Sequence, residues 1–124
     1  MSLTFEQIEK AENILLNDKV PMGIRFRALF TLKNIGGEKA ISAIGTSLEK
    51  DDSALLKHEC AYCLGQMQDQ GAIPVLERVL SNISEHPMVR HEAGEALGAI
   101  ATDNCLTILK VNCFFFFILL IITN

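Results

Sequence analysis

The sequence has no tryptophan and a single tyrosine, Tyr62, in 124 residues. This argues against stacking of aromatic rings on bases or sugars as its main mode of recognition. It lacks an excess of positive charge: 11 Lys and Arg face 15 Asp and Glu, a net charge of −4. A general nucleic-acid binder shows a basic patch or stripe, and this balance argues against one. No apolar run opens the chain, since Met1 to Lys10 is polar and amphipathic. No signal peptide is read there, and a cytoplasmic location with reduced thiols is expected. Of the four cysteines, Cys60-x-x-Cys63 has the spacing of a zinc or redox pair. A structural zinc site takes four ligands, and no second CxxC is present to complete it. On a helix the two thiols would share one face and behave as small apolar residues. There is also no GxGxxG, no phosphate-binding loop and no HExxH.

What the sequence does contain is a repeat. Arg25-Phe26-Arg27-Ala28 aligns with Lys57-His58-Glu59-Cys60, and that with Arg90-His91-Glu92-Ala93. The offsets are 32 and 33 residues. A framework follows in register: Ile24, Leu56 and Val89; Leu32, Leu64 and Leu97; Ile35, Met67 and Ile100; Ile44, Leu76 and Leu109. Self-similarity at such a period is the mark of a solenoid.

Each unit reads as a helical hairpin. Leu56, Cys60, Cys63, Leu64 and Met67 fall on one face at helical spacing, after Asp52 or Ser53 as a cap. Gln68-Asp69-Gln70-Gly71 makes a turn, and Pro74 sits in the first turn of the next helix, where its missing N–H costs little. Pro21 and Pro87 introduce the first helices of the other units; Gly36-Gly37 and Thr102-Asp103-Asn104 make their turns. No hairpin of this kind buries its apolar stripe alone, so neighbours must stack. The expected fold is all-α, an α-solenoid of short HEAT-like helical hairpin repeats. A leading helix over about 4–16, opened by a Thr4–Gln7 capping box, precedes repeats over about 21–51, 52–84 and 85–110.

The end of the sequence departs from this pattern. Residues 111–124 include an apolar stretch, Cys113 to Ile122, with no periodicity. It is too short to span a bilayer, which needs about 20 residues. It has the composition of an aggregation-prone β segment and is expected to lower solubility. The repeat sequence is expected to stop near Lys110, with an unrelated reading beyond it from a splice variant, a frameshift or a gene-model error.

The two His-Glu pairs carry the chemistry. Equivalent first helices of adjacent units lie about 8–10 Å apart at their axes, so His58 and His91 would face one spot with Glu59 and Glu92 close by. Two imidazoles and a carboxylate are the ligand set of non-haem iron(II). Duplication of a harmless surface pair would leave the same pattern, and the residues by themselves leave both readings open. His86 reads as a solvated loop residue, and Glu49-Lys50-Asp51-Asp52 as loop and cap. Arg25, Arg27, Lys57 and Arg90 either flank an acidic partner or keep a helix face soluble.

Several long segments resemble deoxyhypusine hydroxylase. They are Arg25-Phe26-Arg27-Ala28-Leu29-Phe30-Thr31-Leu32, the stretch from Asp52 to Glu59, that from Ala61 to Asp69, and that from Pro87 to Ile100. The resemblance runs from about Phe5 to Lys110 and covers only the N-terminal part of that family. It implies a HEAT-like repeat dimetal monooxygenase that hydroxylates deoxyhypusine on translation factor 5A to give hypusine. It implies Fe2+, two ions per complete enzyme, held between two four-repeat halves. His58, His91 and Glu92 match the protein ligands of one ion. Glu59 matches a carboxylate that holds the substrate's cationic amine or joins the metal shell. The chain carries two of the four expected His-Glu motifs and is expected to be inactive alone. The alternative is a metal-free HEAT-repeat scaffold for protein interaction.

Overall fold

The computed structural model describes residues 3–112. In chain order these form α1 (Leu3–Leu15), α2 (Met22–Ile35), α3 (Glu38–Lys50), α4 (Ala54–Met67), a 3-10 turn (Gln70–Ala72), α5 (Ile73–Ser81) and α6 (Pro87–Ile100). A further helix, α7, covers residues 103–112. No strand occurs among the described residues. The fold is an all-α solenoid: α2–α3, α4–α5 and α6–α7 are successive hairpins. No helix among the described residues is long and apolar enough to cross a membrane. The apolar stretch from Cys113 to Ile122 lies outside the described residues.

The helix ends follow local chemistry. Ser53 caps α4, its Oγ accepting from the Leu56 N–H at 3.2 Å. His86 caps α6, its Nδ1 accepting from the Met88 N–H at 3.1 Å, and Pro87 follows where a proline fits best. The first helices end on one register: Gly36, Gln68 and Ala101 all have positive φ, at 72°, 56° and 55°. A left-handed residue there lets the chain reverse and satisfies a terminal carbonyl. The last turn is shorter than the sequence implied. Ala101 makes the reversal, Thr102 Oγ1 accepts from the Cys105 N–H at 3.2 Å, and Asp103 and Asn104 already belong to α7.

The core is a ladder of matched residues. Leu32, Leu64 and Leu97 are fully buried, as are Leu15, Leu48, Ile44 and Leu76. Cys60, Cys63 and Cys105 lie in the same core as free thiols. Burial pushes the Cys60 thiol up to about 12 and the Cys63 thiol up to about 11, because a thiolate loses its hydration there. The CxxC pair is thus core packing, with neither thiol activated.

The repeated cations also have a structural task that sequence reading left open. Arg25 and Arg90 are buried, not surface groups. Arg25 Nε donates to the Leu15 carbonyl at 2.9 Å, and Arg90 Nε to the Leu80 carbonyl at 2.9 Å, each ten residues back. Arg25 also pairs with Asp51, at the end of α3. Lys57, at the same register, reaches Glu85 at 2.8 Å, just ahead of α6. Each of these two pairs ties a first helix to the loop preceding the next one. Arg27, by contrast, is exposed. The run Glu49 to Asp52 joins this scheme: Glu49 and Lys50 finish α3, and Glu49 pairs with Arg78 at 2.9 Å.

Candidate metal centre between α4 and α6

The spacing of α4 and α6 is set by a missing side chain. A Cβ on Gly65 would lie 2.9 Å from Ala96 Cα and 3.0 Å from Ala96 Cβ. Carbon atoms in contact normally rest about 3.5–4.0 Å apart. Only glycine at 65 permits this approach. His58 is two turns before Gly65 on α4, and Glu92 one turn before Ala96 on α6, so the same close face carries both.

The consequence is a contact across the helices. His58 Nε2 lies 3.0 Å from Glu92 Oε2. His58 Nδ1 lies 3.6 Å from Glu59 Oε1, so carboxylates bracket the ring on both sides. The Glu92 side chain is only 14% exposed, against 30% for His58 and 30% for Glu59. Glu92 is therefore the sheltered member and Glu59 the accessible one. His91 is placed otherwise: its Nε2 lies 3.7 Å from Glu95 Oε1, one turn further along α6. A cleft of about 280 Å³ opens beside the pair, lined by Tyr62, Gln66, Glu92 and Glu95 among others.

These distances allow a test of the donor set. Two ligands at right angles on an octahedral ion with bonds of about 2.1 Å are separated by about 3.0 Å. His58 Nε2 and Glu92 Oε2 have that separation. They fit one edge of a coordination sphere, and their nitrogen and oxygen donors suit iron(II). The third candidate, His91, is not drawn into the same point. Among the described residues, no group of three or more His, Cys, Asp or Glu is gathered closely enough to hold a metal ion.

Two neighbours of the site escaped the sequence reading. Glu95 was signalled only by its four-residue offset from His91, a spacing shared by many surface pairs. Gly65 recurs as Gly98, each after a framework leucine, but a repeated glycine does not say which copy is crowded. The structure distinguishes them: a Cβ on Gly98 would meet nothing within 4 Å.

Comparison with known proteins agrees with this architecture. Residues 44–111 match the family described as HEAT repeats. Deoxyhypusine hydroxylase of Drosophila pseudoobscura pseudoobscura is 58% identical over 105 residues, which are 85% of this chain and 34% of that protein. The Mus musculus protein is 57% identical over 108 residues, 87% of this chain and 35% of that one. The solved structure of human deoxyhypusine hydroxylase in complex with glycerol superposes with a TM-score of 0.84 at 55% identity, covering 87% of this chain and 37% of that chain. The chain spans about a third of the length of the curated relatives it matches. With its stacked hairpins and both His-Glu pairs inside the matched span, the chain belongs to the HEAT-repeat family, as a homologue of deoxyhypusine hydroxylase over about a third of that protein's length.

Proposed function

We propose that this chain is a metal-binding segment of a deoxyhypusine monooxygenase acting on translation factor 5A. The observation that carries the reading is the 3.0 Å approach of His58 Nε2 to Glu92 Oε2, between equivalent registers of adjacent repeats. His58, Glu92 and His91 are the residues that would hold one Fe2+ ion. The bound metal would supply oxygen activation for hydroxylation of an unactivated carbon. The chain's own residues do the positioning. Glu92, sheltered in the interhelical face, presents Oε2 beside His58 Nε2, the two donors the metal would take together. Glu59, partly exposed beside His58, supplies an anionic group for the substrate's cationic amine or a further oxygen to the metal shell. With one half-set of ligands, the 124-residue chain by itself is inactive, in the cytoplasm as elsewhere.

Anaerobic titration of the purified chain with Fe2+, read by metal content after desalting, tests this. At most one ion per chain should be retained, and none by His58→Ala or Glu92→Ala. No hypusine should form from deoxyhypusine-bearing translation factor 5A. Equal retention by wild type and His58→Ala would remove the metal assignment, and turnover by the chain alone would remove the half-set reading. A second reading, a metal-free interaction scaffold, is favoured by the lack of a gathered three-ligand group among the described residues. It predicts no iron retained by any variant.

A further inference from the structure

The accessible face of α4 and α6 is sorted by level. On α4 it runs through Leu55, His58, Glu59 and Tyr62; on α6 it runs through Met88, His91, Glu92 and Glu95. Steps of three and four residues put each set on one stripe. The two helices pack against each other, so the stripes lie side by side. Leu55 and Met88 share a register one turn before the His-Glu pairs. Both are large, apolar and open to solvent, at 61% and 56% exposure. Core packing does not account for them, because their neighbours Leu56 and Val89 fill the core.

A single exposed leucine needs no explanation. The distribution of this pair does. The first unit, with Phe26-Arg27 in place of a His-Glu pair, has Gly23 at the same level. A large apolar side chain thus stands at this level in the two units where histidine and glutamate follow it one turn on, and is absent from the unit where they do not. The level on the other side of the pairs is polar. It holds the Glu95 carboxylate and Tyr62, whose hydroxyl accepts from Gln66 Nε2 at 2.9 Å. A cation held at Glu59 therefore meets apolar surface in one direction along the helices and polar surface in the other.

We propose that Leu55 and Met88 are specificity-determining residues: they form an apolar ledge on which the methylene spacer of the substrate's cationic side chain lies while Glu59 holds its amine. The assignment rests on the amine-holding role proposed for Glu59, and it does not depend on the metal. Leu55 and Glu59 are about 6 Å apart along the helix axis. An extended chain advances about 1.3 Å per bond. The ledge therefore reaches about five bonds back from the amine, the span between the two nitrogens of an aminobutyl amine. A spacer shorter by two methylenes keeps its charge at Glu59 and leaves part of the ledge in water.

The test uses the full chain under chelator and two labelled peptides, identical but for one lysine that carries an Nε-aminobutyl or an Nε-aminoethyl group. Anisotropy should show the aminobutyl peptide bound about fourfold tighter, the worth of half-covering two methylenes. In a Leu55→Gln, Met88→Gln chain the preference should fall below about 1.5-fold. Glutamine keeps the helix propensity of both residues, so circular dichroism should match wild type. Glu59→Gln should weaken both peptides and leave their ratio unchanged. Absence of binding at about millimolar peptide, a preference that survives the double substitution, or binding indifferent to Glu59→Gln overturns the proposal. Self-association of the chain abolished by the double substitution would also overturn it, assigning the ledge to a second copy. Iron retention, measured separately, keeps the two readings apart: a chain that retains no Fe2+ but shows the fourfold preference loses the metal and keeps the ledge, and a chain that retains Fe2+ without the preference does the reverse.

Discussion

Replacing Gly65 by alanine is the most direct way to ask whether the α4–α6 spacing builds the site. The added Cβ would lie 2.9 Å from Ala96 Cα, a backbone atom that no rotamer change can move. An ordinary carbon contact is about 3.5–4.0 Å, so α6 must retreat by roughly 0.6–1 Å. His58 and Glu92 lie on that face, and their 3.0 Å contact would stretch beyond hydrogen-bonding reach, about 3.5 Å. Overpacking of this kind costs about 1–3 kcal/mol. Alanine in a helix recovers about 1 kcal/mol relative to glycine. The net expectation is a loss of up to about 2 kcal/mol, a fall in Tm of several degrees for a chain of this size.

The control lies in the next repeat. Gly98 has the register of Gly65, yet its Cβ would meet nothing within 4 Å. Gly98→Ala should gain up to about 1 kcal/mol from helix propensity alone. Thermal unfolding followed by circular dichroism separates the two, and Fe2+ retention reads the site independently. Gly65→Ala should be less stable and retain less metal; Gly98→Ala should be more stable and retain as much as wild type. If both substitutions raised Tm equally, close approach at Gly65 would not be what positions His58 against Glu92.

Ala101 holds a left-handed conformation, φ 55°, that costs an L residue about 1 kcal/mol or more. Ala101→Gly should therefore raise stability by about 0.5–1 kcal/mol in denaturant titration, and a loss would show that the α6 terminus is set by something other than backbone conformation. The buried thiols make stability depend on pH at the alkaline end. With Cys60 near 12 and Cys63 near 11 in the fold against about 9 unfolded, the native state holds protons that the unfolded state releases. The thiols' contribution to stability should be constant below about pH 9 and fall above it, by at most about 1.4 kcal/mol per pH unit per thiol. A Cys60→Ala, Cys63→Ala chain should show a flatter alkaline limb in equilibrium unfolding, and native Cys60 and Cys63 should resist alkylation at pH 8, read site by site. Fast labelling there would contradict their burial.

Much of the fold was legible because a solenoid writes its contacts at a fixed period. Leu32, Leu64 and Leu97 recur in sequence because each fills the same place in a stacked hairpin. Turn positions were legible where glycine or proline marked them, at Gly36 and Pro87. They were blurred where Ala101 adopts a glycine-like conformation without being glycine, so the final turn was placed one residue late. The cations misled for a related reason. Arg25 and Arg90 look like surface residues, because only tertiary packing can show a carbonyl waiting for a buried guanidinium. The role of α1 became visible in packing: it lies on α2 as α3 lies on α4 and α5 on α6.

By itself the sequence determined the repeat, the helical hairpins and the recurrence of His58-Glu59 at His91-Glu92, since periodic burial needs nothing beyond local spacing and side-chain polarity. Only the tertiary structure decided which of those groups meet. His58 contacts Glu92 of the next unit more closely than its own neighbour Glu59, while His91 turns toward Glu95. The reason is geometric. Register fixes the level at which a residue sits along a helix, but the distance between helices depends on one crowded contact, Gly65 against Ala96, and repetition in the sequence leaves that distance open.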